Sequence, residues 1–176
     1  LIYFFNQLNA KIFRVEKVDT HGGSIRVYIK KEKKVKIESS VKKLIKEEEK
    51  FGIKDFKTYQ NFGKKVYEIR ENVLANIKKL KKENKTLIGY GAPAKATTAL
   101  NFFGVSNEID FIVEDNKLKH NKFIPGVKIA IKNKSKIKNK NNILLVLAWN
   151  FYNDIKKNNS DLSNNFVNIK DLESNN

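Results

Sequence analysis

Apolar and polar positions alternate along residues 11–19. Ile12, Arg14, Glu16 and Val18 fall on one parity and Phe13, Val15 and Lys17 on the other, a period of two that predicts a strand. Ile25 to Ile29 predicts a second strand, rich in β-branched and aromatic residues, and Thr20-His21-Gly22-Gly23-Ser24 between them is a turn signal. Two strands alone are marginal in water. Residues 1–9 read as the end of a helix or a packed aromatic segment. The period then lengthens. Glu38-Ser39-Ser40 can open a helix with Val41, Leu44 and Ile45 on one face, stopped at Phe51-Gly52. A longer helix is predicted over about 55–83. Its apolar positions, Tyr59, Phe62, Val66, Ile69, Val73, Ile77 and Leu80, recur every three or four residues and predict a packed stripe.

After residue 85 strand and helix alternate. Strands are expected at 86–90, 109–113, 142–148 and 165–169, helices at 94–103 and 151–157, and a short apolar segment at 127–131. Gly104 sits where a helix C-terminus favours glycine. The Lys/Asn-rich stretch 132–141 reads as solvated, with room for one short amphipathic helix. Such alternation predicts an α/β fold, a Rossmann-like, mostly parallel sheet with flanking helices, preceded by a β-hairpin and a helical connector. The domains expected are 1–31, 32–84 and 85–176.

Composition narrows the function classes. At 176 residues and 40% hydrophobic content the chain can bury one good core. No apolar run reaches the roughly 20 residues that span a bilayer, and a signal-peptide pattern is missing, so a cytoplasmic protein off the membrane is expected. Without Cys there are no disulfides or thiolate metal sites, and His21 and His120 lack ligand spacing, so no metal is expected. The net charge of +17 invites a nucleic-acid partner, but Arg occurs only at Arg14, Arg26 and Arg70, and the many Lys are spread along the chain. No specific nucleic acid is expected, only weak, salt-sensitive affinity for polyanions. The chain also lacks Met, including at position 1, which suggests that it starts inside a longer reading frame or was processed.

The candidate chemistry sits at strand ends. In IGYGAPAKATTALNFFG (88–104) a strand meets Gly89 and Gly91 and runs through Ala92 into a helix carrying Lys95. Backbone N–H groups at the positive end of a helix dipole suit a phosphate, and Lys95 can add charge. As a dinucleotide fingerprint, Gly89-x-Gly91-x-x-Ala94 is degenerate. Glu114-Asp115 ends the next strand, where an acid can meet a ribose hydroxyl or merely open a turn with Asn116. Trp149 at a third strand end can stack a base or join the core. Asn150 can cap the following helix.

Several segments in series resemble one family. THGGSIRVY (20–28), GYGAPAKATTALNFFG (89–104), IDFIVEDNKLKHNKFIPGVKI (109–129) and ILLVLAWNFYNDI (143–155) are similar, in that order, to the C-terminal portion of S-adenosylmethionine-dependent sugar C-methyltransferases acting on nucleotide-linked deoxysugars. The resemblance implies that Gly89, Gly91, Ala92 and Lys95 form a phosphate-facing turn. It implies that Glu114, Asn116, Lys119, Pro125 and Gly126 form the acidic strand end and the loop after it. Lys117 stands where the family commonly has Pro, and His120-Asn121 where Gln-Gly is common. The family's donor motif and catalytic cluster would lie upstream of Leu1. Residues 1–31 would then be the last two strands of a methyltransferase domain, and no catalytic residue is expected in this chain. S-adenosylmethionine is expected in the intact enzyme and not on this chain alone, and the implied partners are a nucleotide-sugar substrate and the missing methyltransferase region. The turn holding His21 and Ser24 lies near the sugar or is purely structural, and both readings stay open. Besides a methyltransferase portion, the residues admit a free-standing NAD-like module or a polyanion-binding protein.

Overall fold

The computed structural model describes residues 1–20, 22–32, 34–82 and 86–174. It divides into two units, residues 1–63 and 64–176.

In the first unit a short helix α1 (Ile2–Gln7) precedes strands β1 (Lys11–Val18) and β2 (Ser24–Lys30). The strands pair antiparallel, Ile12 opposite Ile29 and Arg14 opposite Tyr28, so Phe13 is a bulge. Helix α2 (Ser39–Phe51) packs on this hairpin. Ser40 Oγ accepts from Val15 N at 3.3 Å, Lys17 donates to Glu47 at 2.6 Å, and Val41 and Ile12 are buried. The pair that would be marginal alone thus gains a cover on one side. Gly52, in the left-handed region at φ 79°, ends α2.

Helix α3 (Phe56–Lys82) begins in the first unit and continues into the second. Its expected stripe is only half packed. Val73 and Ile77 are fully buried, Ile69 and Leu80 partly, whereas Tyr59 and Phe62 are 56% and 67% exposed. Tyr59 and Phe62 lie in the first unit, whereas Val73 and Ile77 belong to the apolar cluster of the second.

The second unit holds a five-stranded parallel sheet of β3 (Thr86–Tyr90), β4 (Phe111–Val113), β5 (Ile131–Lys132), β6 (Asn142–Val146) and β7 (Asn165–Asn168), ordered β5-β4-β3-β6-β7. Helices α4 (Ala94–Phe103) and α5 (Tyr152–Asn158) complete it. The α/β, Rossmann-like expectation stands, with a parallel sheet flanked by helices and a separate hairpin. The period of two divides the core. Leu87, Ile112, Ile143, Leu145 and Leu147 face α3 and α4, joining Val73, Ile77, Ala96 and Leu100. Ile88, Tyr90, Val113, Leu144 and Val146 face the opposite side, against Ile137, Tyr152, Ile155 and Phe166. Both faces are covered, and β6 accordingly reads as an unbroken apolar run after Asn142.

Three expectations change. The strand expected at 109–113 begins only at Phe111, because Asp110 turns its carboxylate onto Leu87 N (2.9 Å) and Lys81 Nζ (2.6 Å). The segment 127–131 contributes only Ile131 to β5. The stretch 132–141 is not wholly solvated: Ile137 packs on the core and Lys134 is drawn inward.

Candidate functional site

The chain reverses its direction of travel across the sheet between β3 and β6. In open parallel sheets, ligands bind outside the carboxyl ends of the strands at that point. Three segments meet there: the turn after β3, the acidic end of β4, and the exit from β6 at Leu147–Asn150, whose Leu147 N donates to Tyr90 O at 2.9 Å.

Close packing selects the glycines. A Cβ on Gly89 would lie 2.7 Å from Ile112 Cγ1 and 3.0 Å from Leu147 Cδ1. Gly91 has φ 89°, and its Cβ would lie 2.9 Å from that of Ala148, so glycine lets the turn pass against the β6 exit. Gly91 N donates to Val113 O at 2.8 Å, and Pro93 precedes the first turn of α4. The N–H groups of Ala94 and Lys95 have no partner among the described residues, as expected for an open helix start.

Glu114 is engaged within the chain. Its Oε2 accepts from Ala92 N at 2.8 Å and Lys119 Nζ at 3.3 Å, while its Oε1 accepts from Asn116 N at 3.0 Å. Lys119 Nζ also donates to Ala92 O at 2.9 Å, so one acid and one amine clamp both polar atoms of a single turn residue. Burial pushes the Glu114 carboxyl up, but the N–H groups of Asn116 and Ala92 and the Lys119 ammonium outweigh it and hold the group below the usual carboxylate range. Asn116 accepts from Leu118 N at 3.0 Å and opens the 3₁₀ turn Lys117–Lys119, which is its turn-forming role. His120 Nε2 lies 2.7 Å from Glu114 O, an acceptor, so that nitrogen carries the proton. Asn121 occupies the left-handed region at φ 60°, which Asn tolerates. Pro125 O accepts from Asn101 Nδ2 at 2.9 Å, and Gly126, at φ 84°, leaves room for that carboxamide.

Lys95 and Trp149 come together, the ammonium 5.5 Å from the indole centroid. Trp149 is half-buried against the core and Lys95 is exposed. Asn150 does not cap α5: it sits inside the 3₁₀ turn Trp149–Phe151, Phe151 occupies the cap position, and the expected side-chain bond is missing. Ser24 lies in the first unit, its Oγ bonded to Thr20 O at 3.1 Å. His21 lies outside the described residues.

A second cluster was not foreseen. Tyr90 OH lies 2.9 Å from Asp115 Oδ2 and 3.1 Å from Asn159 Oδ1, and Lys134 Nζ reaches Asp115 Oδ1 at 2.8 Å and Asn159 Oδ1 at 3.0 Å. Tyr90 is 2% exposed. Burial, then Asp115, raises its phenol, while Lys134 lowers the Asp115 carboxyl. The one available signal was a tyrosine at a strand's carboxyl end. Nothing in the spacing distinguished Lys134 from its neighbours. Among the described residues no group of three His, Asp or Glu could hold a metal, and no helix is long and apolar enough to cross a membrane.

A family model described as the C-methyltransferase C-terminal domain matches residues 19–168. The C-methyltransferase NovU of Streptomyces niveus is 28% identical over 168 residues, which cover 94% of this chain and 40% of that protein. The chain thus spans well under half the length of the relative it matches.

Proposed function

The chain belongs to the C-methyltransferase C-terminal domain family, and on that premise we propose that it is the substrate-holding portion of an S-adenosylmethionine-dependent, cytoplasmic C-methyltransferase acting on a nucleotide-linked deoxysugar. The observation that carries this reading is the turn at 89–95. It is packed against the β6 exit, with the unpaired N–H groups of Ala94 and Lys95, the Lys95 ammonium and the Trp149 ring all at the switch point. A pyrophosphate there would accept from the helix start and Lys95, and the ring would lie beside the nucleoside. The domains that go with this proposal are a hairpin at 1–31 from a methyltransferase domain, a connector at 32–84, and a substrate-side domain at 85–176.

Glu114 positions rather than binds. Three donors, Ala92 N, Asn116 N and Lys119 Nζ, already share its two oxygens, which leaves at most one acceptor position for the ribose of an NAD-like site. S-adenosylmethionine does not fit the described residues. The strand-glycine-helix turn at 89–95 already commits Ala92 N–H to Glu114, and β1 and β2 lead into no turn of that kind. In the intact enzyme the donor supplies the methyl group. This chain's part is to bind and orient the sugar nucleotide.

Amide-resolved NMR titration with a nucleoside diphosphate tests the reading. Shifts should centre on residues 91–96 and the Trp149 indole, and Lys95→Gln should weaken binding by on the order of 1–2 kcal/mol, as for one charge-assisted bond. Gly91→Val is a poor probe, because φ 89° and the Ala148 contact would strain the turn itself. Shifts that spare 91–96 would sink the assignment.

A further inference from the structure

A groove of about 350 Å³ opens beside Thr86 and Asn142, the first residues of β3 and β6, away from the glycine turn. Ile88, Phe111 and Ile137 form its apolar side, and Lys132, Lys136 and Lys138 its charged side. Among the described residues no carboxylate lines it, and none forms an ion pair with these three lysines. Lys134 differs: it is spent on Asp115 and Asn159. Lys132 Nζ sits 4.6 Å from the Phe111 centroid, so its charge is held at the apolar floor. Asn142, 3% exposed, also lines the groove. Its Nδ2 donates to Asn139 O (2.6 Å) and Leu162 O (3.0 Å), and its Oδ1 has no partner.

We infer that this groove binds a small phosphate monoester with an apolar body, at a site separate from the glycine turn. Three lysines lining one groove, with no carboxylate beside them among the described residues, give it a positive character that favours an anion. A monoester brings a charge of about −1.5 to −2, where a carboxylate brings about −1. Lysine meets phosphate as a mobile point charge and needs no fixed fork. The volume lies at the lower end of the range of roughly 300–1,000 Å³ that small-molecule sites occupy, enough for a phosphate with one ring and too much for a bare anion. The apolar side gives that ring a surface.

Phenyl phosphate is the probe, with inorganic phosphate and phenol as the two halves of it, each titrated into the full chain with amide-resolved NMR. Phenyl phosphate should shift residues 86–88, 111 and 136–139, and bind more tightly than either half. The double variant Lys132→Gln/Lys136→Gln should lose about tenfold in affinity or more, as for two charge-assisted contacts. Lys78→Gln/Lys79→Gln, which removes as much charge from α3, should leave affinity unchanged, and so should Lys95→Gln. The assignment is overturned if inorganic phosphate binds as tightly as phenyl phosphate, if the α3 pair costs as much as the groove pair, or if the shifts follow residues 91–96. The last result would return the ligand to the glycine turn.

Discussion

Glu114 Oε2 holds Ala92 N at 2.8 Å, so the end of β4 fixes the conformation of the turn after β3. The carboxylate occupies a donor that an incoming anion would otherwise use, and leaves open those one step further into α4.

That bond is pH-dependent. The folded Glu114 carboxyl lies below its ordinary value, despite burial, because Asn116 N, Ala92 N and Lys119 favour the ionised form. Its stabilisation is therefore present above the unfolded carboxylate range, near pH 4.3, and is lost as pH falls through the lowered folded value. Glu114→Gln keeps one acceptor but turns an amide donor toward another N–H or the Lys119 ammonium. We expect a loss of about 1–3 kcal/mol near neutral pH, and less at pH 3, in urea unfolding curves. An unchanged difference across that range would show that Glu114 carries no linked proton.

The Pro125-Gly126 loop should be intolerant at Gly126. A Cβ there runs into the Asn101 carboxamide, which donates to Thr97 O (2.8 Å) and Pro125 O (2.9 Å), and φ 84° adds about 1–2 kcal/mol for a side chain. Gly126→Ala should cost about 2–4 kcal/mol in total, since overpacking adds a similar amount. In the Asn101→Ala background the steric share should vanish and the backbone share remain. Thermal unfolding of the four proteins in that cycle measures the coupling. Strict additivity would show that the two groups do not meet.

Tyr90 and Lys134 should not be equivalent. Tyr90→Phe leaves Asp115 and Asn159 both bonded to Lys134, so a loss of about 1 kcal/mol is expected. Lys134→Met leaves one phenolic hydrogen for two acceptors, and should cost more than Tyr90→Phe. It should also flatten the acid limb of stability, because Lys134 is the main cause of the lowered Asp115 carboxyl, whose stabilisation is lost as pH falls through its folded value. Equal losses with identical pH profiles would argue against the shared network.

Hydrogen exchange should separate the two sheets. Ile143 to Val146 are fully buried between two covered faces, whereas Ile25 and Ile29 on β2 remain 40% and 39% exposed. Amides of β6 should exchange at least about a hundredfold more slowly than those of β1 and β2, a gap of roughly 3 kcal/mol in opening free energy. Equal protection would show that the hairpin is covered by self-association.

The sequence was legible where period and punctuation agree. Thr86–Tyr90 and Ala94–Phe103 match their expected limits, because glycines mark both ends of the turn-helix unit and β3 is apolar on both faces. The glycine turn, Glu114 and Trp149 stand out in the sequence because they fall at strand ends, where such residues can act. What escaped was long-range. Nothing near Lys134 in the chain says that Asp115, Tyr90 and Asn159 will gather around it, and nothing near Tyr59 says that a residue of the apolar stripe will stay 56% exposed. Asn150 had the right residue type for a cap, but the 3₁₀ turn moved the cap one residue on.

The strand order has a consequence for how the protein is made. Synthesis delivers β3, β4 and β5 in sequence, yet β3 needs β6 on its other side, Thr86 pairing with Asn142. Until residues 142–146 leave the ribosome, β3 presents an open edge to other nascent chains. The segment translated just before β6, residues 132–141, carries five lysines and no acid. Its charge repels like copies through the interval when the half-built sheet is most able to pair with the wrong strand.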